Sequence, residues 1–150
     1  MVANLEKAIQ IATDGHVGQE RFDGSPYINH PLRVMRTLQN QGHSERAQIV
    51  GVLHDSVEDT DVTFEMLREE GFEDDVILPL ELLTKQDGDD YEMYVQRLSV
   101  NACSRAVKKA DLFDNLDLTG LPNPSKKRIM IIEKYGRALL FLARFSQPRV

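Results

Sequence analysis

A chain of 150 residues, 41% hydrophobic and 28% charged, suits one soluble domain long enough to bury a core. Its one cysteine, Cys103, excludes an internal disulfide and a multi-cysteine zinc site, and reads as a small buried hydrophobe. The net charge of −6 argues against nucleic acid as a partner. Its distribution is uneven: residues 1–100 carry net −12 and residues 101–150 net +6, so an acidic half able to hold a metal adjoins a basic third able to hold phosphate. No apolar run approaches the roughly 18 residues of a membrane span. The amphipathic start MVANLEKAIQ does not read as a signal peptide, so the expectation is a cytoplasmic protein without membrane contact.

Helical periodicity dominates the chain. Leu5, Ala8, Ile9 and Ala12 follow the i, i+3, i+4, i+7 pattern behind a possible Asn4 cap, and Gly15 and Gly18 end that helix. A polar, glycine-containing loop follows from His16 to Tyr27, with His16 at a pocket edge or in loop packing. Pro31 is expected to open the next helix, which carries Leu32, Val34, Met35 and Leu38 and ends near Gly42; His43 beside it reads as an exposed loop residue. Ser44 caps a helix running through the apolar stretch Ile49–Leu53 into His54, Asp55, Glu58 and Asp59. On one continuous helix those four residues share an arc of roughly 140°. Three carboxylates and an imidazole so crowded resist burial unless something cationic sits among them, and a metal is the obvious candidate.

Further along, Thr63 caps FEMLREE, which stops at Gly71, and residues 76–83 read as a helix with Pro79 near its start. Asp89 and Glu92 resemble a capping box for a helix over 91–100. Asn101 begins a helix expected to reach Leu118, ended by Gly120 and the prolines of LPNP. Ser125 caps a last helix over 126–145, with a stripe of Ile129, Ile132, Tyr135, Ala138, Leu139 and Leu142 that suits the core or an interface between copies. The basic run Lys126-Lys127-Arg128 reads first as an ordinary basic first turn, although its position against the dipole at that helix start leans slightly towards a use in binding phosphate. With no convincing strand pattern, the prediction is an all-α bundle of about eight helices in a single domain spanning 1–150.

Three segments can converge on the His54 stretch: His30 before Pro31, the face carrying Lys108, Asp111 and Asn115 one turn apart, and Lys85 at a helix end. Taken together, GQERFDGSPYINHP, LHDSVEDT, LLTK and VKKADLFDN resemble, in order and spacing, the HD-domain phosphohydrolases, and specifically the hydrolase domain of the RelA/SpoT alarmone enzymes and the small alarmone hydrolases. The resemblance covers roughly residues 12 to 120. It implies an HD-domain helical fold with His30, His54, Asp55 and Asp111 as metal ligands, manganese being the family's usual ion. Two imidazoles and two carboxylates suit such a divalent ion. Glu58 and Asp59 match the family's acid–base pair; a metal lowers the pKa of water towards neutrality, and a nearby carboxylate then takes the remaining proton.

The family's nucleotide and phosphate contacts match Arg21, Lys85 and Asn115, with Tyr27 and Lys108 in reach. The implied substrate is a small phosphorylated nucleotide, best represented by guanosine 3′,5′-bis(diphosphate) losing its 3′-pyrophosphate. No synthetase domain is expected, so the implied activity is hydrolytic. Three departures stand out: Phe22 where the family often has lysine, Leu112 for an arginine, and Asp114 for a histidine. They leave the ligand set whole while thinning the cations around a pyrophosphate. Two alternatives follow: a phosphatase for another small ester, such as a nucleoside monophosphate or NADPH, and a non-catalytic ligand-binding module, whose signature of damaged ligands is absent from the six matched metal and acid positions.

Overall fold

The computed structural model describes residues 3–117 and 123–150. Its described residues form nine helices: α1 (Leu5–Gly15), α2 (Asn29–Asn40), α3 (Glu45–Leu53), α4 (Ser56–Asp59), α5 (Phe64–Glu69), α6 (Asp74–Leu83), α7 (Tyr91–Leu98), α8 (Ala102–Asn115) and α9 (Lys126–Leu142). Five expected caps are made: the side chains of Asn4, Ser44, Thr63, Asn101 and Ser125 each accept a backbone N–H from the first turn of the following helix. α8 ends at Asn115 with Leu116 as its cap, short of the expected reach to Leu118, and residues 118–122 lie outside the described residues.

The centre of the bundle is α3, which is buried from Ala47 to Leu53 and packs on α1, α2, α6 and α8. A helix buried all round has no polar face, which is why its sequence shows little amphipathic contrast. Gly51 lets α2 approach closely: a Cβ there would lie 2.6 Å from Leu38 Cδ1. Leu38, Val50, Leu53, Ile77, Leu98 and Leu112 form the heart of the core.

Local chemistry corrects several sequence expectations. The extra helix arises because the His54 stretch does not continue α3. The chain leaves α3 at Leu53, turns through His54 and Asp55, and restarts as the single turn α4. One unbroken helix would stack four repelling or costly groups on a buried face. The turn instead buries His54 and leaves Glu58 and Asp59 exposed. At α2 the helix starts at Asn29, so Pro31 is its third residue, where a missing N–H costs no helical hydrogen bond. At α7 the cap is Asp90, accepting from Met93 N–H at 2.7 Å. Asp89, one residue before the cap, instead holds Arg97 at 2.9 and 2.6 Å and accepts the Gln86 N–H at 3.0 Å. His43 is buried rather than exposed, since the last residues return to it and Val150 N–H donates to its Nδ1 at 3.1 Å. Of the α9 stripe, Ala138 and Leu142 are buried, whereas Ile129 stands exposed.

Candidate functional site

Four side chains from three places in the bundle meet at one point. The first turn of α2 brings His30, the α3–α4 turn brings His54 and Asp55, and α8 brings Asp111. One ligand atom from each lies within 4.8 Å of all the others. His30 Nε2 is 2.9 Å from Asp111 Oδ1, and His54 Nε2 is 3.1 Å from Asp55 Oδ2. Both imidazoles are buried, His30 at 1% exposure and His54 at 4%.

The surroundings fix how these groups present themselves. His54 Nδ1 lies 2.6 Å from the carbonyl oxygen of Gly51, which accepts its proton and leaves the lone pair on Nε2. That Nε2 is buried and faces only carboxylate oxygens, Asp55 Oδ2 at 3.1 Å and Asp111 Oδ1 at 3.4 Å, without a well-aligned hydrogen bond to either, an arrangement that costs stability unless a cation sits among them. Asp55 Oδ2 accepts from Tyr27 Oη at 2.7 Å. Asp111 is held at both oxygens, by Asn115 Nδ2 at 2.9 Å and by Lys108 Nζ at 2.8 Å. Burial works to lower the pKa of His54, but Asp55 and Asp111 outweigh it and the ring is held well above the usual histidine range. Burial works to raise Asp111, but Lys108 and the two imidazoles hold it well below the usual carboxylate range. Two carboxylates at this depth thus draw positive charge into the cluster. A borderline-hard divalent cation fits that donor set, with the buried His54 Nε2 among the donors.

Above this point opens a cleft of about 420 Å³. Asp55 and Asp111 form its floor, and Glu58 and Asp59 from α4 stand at one side. Both acids have raised pKa values, first through partial burial and then through neighbouring carboxylates, Asp59 and Asp55 acting on Glu58 and Asp55 on Asp59. Arg21, Tyr27, Lys85, Lys108 and Asn115 all line the same cleft. The structure therefore brings every sequence-predicted catalytic and substrate residue to one cavity, with His30 and His54 beneath it. Within it, Arg21 donates to Asn115 Oδ1 at 3.2 Å, and the Lys108 ammonium is engaged by Asp111 rather than free. His16 lies behind Tyr27, buried, with ring centroids 4.9 Å apart.

The three departures separate. Leu112 is fully buried in the core and takes no part in the site. Phe22 lines the cleft between two guanidiniums, Arg21 at 5.4 Å and Arg128 at 4.1 Å from its ring centroid. Asp114 contacts His30, with Oδ2 2.6 Å from Nδ1. Sequence reasoning missed most of the outer wall, Tyr91 and Tyr94 from α7 and Lys134 and Tyr135 from α9, and left Arg128 of α9 between a surface turn and a phosphate contact. The signal available was the spacing of Tyr91 and Tyr94, three apart, and of Arg128 and Tyr135, seven apart, each pair on one helix face.

Comparison with known proteins bears on the family and the fold. A family model described as HD domain matches residues 8–90. The GTP pyrophosphokinase of Streptomyces coelicolor is 43% identical over 83 residues, covering 55% of this chain and 10% of that protein. A probable GTP pyrophosphokinase of Mycobacterium leprae is 33% identical over 132 residues, 82% of this chain and 17% of that protein. A guanosine-3′,5′-bis(diphosphate) 3′-pyrophosphohydrolase of Danio rerio is 42% identical over 69 residues, 43% of this chain and 38% of that protein. The chain thus spans well under half the length of these curated relatives. Among solved structures, one described as a metazoan ortholog of SpoT that hydrolyzes ppGpp superimposes with a TM-score of 0.79 at 24% identity, covering 99% of this chain and 90% of that one, a likeness of fold.

Proposed function

This chain belongs to the HD domain family, and from that premise we propose that it is a manganese-dependent hydrolase of a phosphorylated nucleotide. The best single substrate is guanosine 3′,5′-bis(diphosphate), cleaved by water at the 3′ position to give pyrophosphate and a free 3′-hydroxyl, as the name of the Danio rerio relative describes for that protein. The observation that carries the reading is the cluster of His30, His54, Asp55 and Asp111 at a cleft lined by both acids and cations.

Those four residues would hold the ion. When bound, it supplies a Lewis acid that makes water nucleophilic near neutral pH. Glu58 and Asp59 flank the cleft floor, where one carboxylate takes a proton from the attacking water and the other returns one to the leaving oxygen; their raised pKa values bring them nearer that task. Tyr27 steadies Asp55, and Lys108 and Asn115 steady Asp111, so the acids of the floor cannot swing away. Arg21, Lys85, Arg128 and Lys134 supply the positive charge that phosphate groups need. Tyr91 and Tyr135 supply flat surfaces against which a base can stack.

A specific observation favours a second reading, hydrolysis of another nucleotide or small phosphate ester: Leu112 is lost to the core, and Phe22 gives an aromatic surface where a cation was expected. The discriminating experiment is turnover of a nucleotide panel with manganese, magnesium and EDTA arms, with products identified. Pyrophosphate release from the alarmone, sustained by manganese and abolished by EDTA, is the expected result. Clear turnover of another ester without any of the alarmone overturns the substrate, and no turnover with no bound metal overturns the enzyme.

A further inference from the structure

We propose that Asp114 is the positioning residue for the His30 ligand: its carboxylate fixes the tautomer and strengthens the donor of that imidazole, so that this chain's metal affinity depends on a group outside the ligand set. The inference rests on reading His30 as a metal ligand.

His30 is enclosed, at 1% exposure, with both ring nitrogens facing carboxylates. Nε2 points into the cluster, 2.9 Å from Asp111 Oδ1 and 3.5 Å from Asp55 Oδ2. Nδ1 lies 2.6 Å from Asp114 Oδ2. A ligating Nε2 needs its lone pair free, so the proton of the neutral ring must sit on Nδ1, and Asp114 is the group placed to accept it. A charged acceptor there pulls on the N–H bond and makes the opposite nitrogen a better donor. The two histidines are unequal in this respect. His54 gives its Nδ1 proton to the neutral carbonyl of Gly51, while His30 gives it to a carboxylate.

Asp114 is in turn immobilised from the other side. Arg33 forks onto it, Nε to Oδ1 at 2.7 Å and one terminal nitrogen to Oδ2 at 3.0 Å. A planar guanidinium on a planar carboxylate restrains rotation as well as position. The fork ties α2 to α8, the two helices that carry His30 and Asp111.

The test is the affinity for Mn²⁺ alone, measured by titration calorimetry on the purified full chain, for the wild type, Asp114→Asn and Arg33→Ala. Asparagine keeps the size and an accepting oxygen but removes the charge, and Asp114→Asn is expected to weaken Mn²⁺ binding by about 10- to 100-fold. Arg33→Ala cuts the helix clamp and leaves the carboxylate on His30, so it is expected to weaken binding less than Asp114→Asn does. Long-range proton–nitrogen NMR of the metal-loaded protein, with a diamagnetic divalent ion in place of Mn²⁺, is expected to show the His30 proton on Nδ1. Thermal unfolding of the metal-free proteins reports folding separately. Asp114→Asn binding within about twofold of wild type, or Arg33→Ala weakening it as much as Asp114→Asn, overturns the inference. A wild type that binds no Mn²⁺ overturns instead the metal reading on which it rests.

Discussion

The floor of the cleft and its outer wall are made differently. On the floor each ligand is held by a neighbour: Asp111 by Lys108 and Asn115, Asp55 by Tyr27, His54 by the Gly51 carbonyl, His30 by Asp114. The wall is built of cations leaning on aromatic rings, Arg128 on Phe22 at 4.1 Å and Lys134 on Tyr91 at 4.6 Å. Hydrogen bonds in a buried place fix an atom to a few tenths of an ångström, whereas a ring face holds a cation over a range of positions. A reacting centre needs the first kind of support and tolerance of differing substrates is served by the second. The floor draws on α2, α3 and the α3–α4 turn, inside the region matched by the family model, and on α8. Arg128, Lys134 and Tyr135 of the wall come from α9, beyond that region.

The largest expected effect would break the floor itself. His54→Ala or Asp55→Ala should abolish stoichiometric metal and cut turnover by on the order of 10³-fold or more, checked by elemental analysis after gel filtration and by pyrophosphate release. Glu58→Gln sharpens the division within that stretch: metal content should stay at the wild-type level while kcat falls by about 10²- to 10⁴-fold. Equal metal loss in Glu58→Gln and His54→Ala would mean that α4 belongs to the ligand set. On the wall, Arg128→Ala and Lys134→Ala should each raise KM by about 10-fold and move kcat less than about threefold, the pattern of lost uniform binding. A kcat effect as large as that of Glu58→Gln would erase the contrast between wall and floor. The smallest effect is on stability. Gly51→Ala places a methyl 2.6 Å from Leu38 Cδ1, and after the helix-propensity gain the net loss should be about 1 kcal/mol. In a domain of this size that reads as a melting point lowered by about 2–4 °C.

How much of this could be read in the sequence follows the same line. The cluster of His30, His54, Asp55 and Asp111 was readable because chemistry restricts such a group to a few residue types in a fixed order, and the helices because apolar residues recur at helical spacing. The break at His54 was not, since Val50 to Thr60 carries no glycine or proline at the break itself and helical propensity runs straight through it. What marks it is a side-chain bond to the backbone, in which Gly51 O, three residues back, takes the His54 proton. Asp114 looked like a loss because its partner, His30, lies 84 positions away in sequence, and Arg33 is just as remote. Arg128 was ambiguous because a basic first turn is common on surfaces, and only the bundle shows which of three neighbouring cations faces inward. His43 was misread for want of the last residue, whose N–H it accepts.

That last contact has a practical side. Val150 lies against the start of α3, its carbonyl accepting from Ser44 N–H at 2.7 Å, while His54 follows the other end of the same helix. Ten residues of helical rise separate the two, about 15 Å. A dye attached at Glu45, exposed at the start of α3, would therefore sit a known stride from the cluster, at the far end of a buried, straight spacer. Distance-dependent quenching between such a label and a paramagnetic ion would report occupancy of the centre without touching a residue of the cleft.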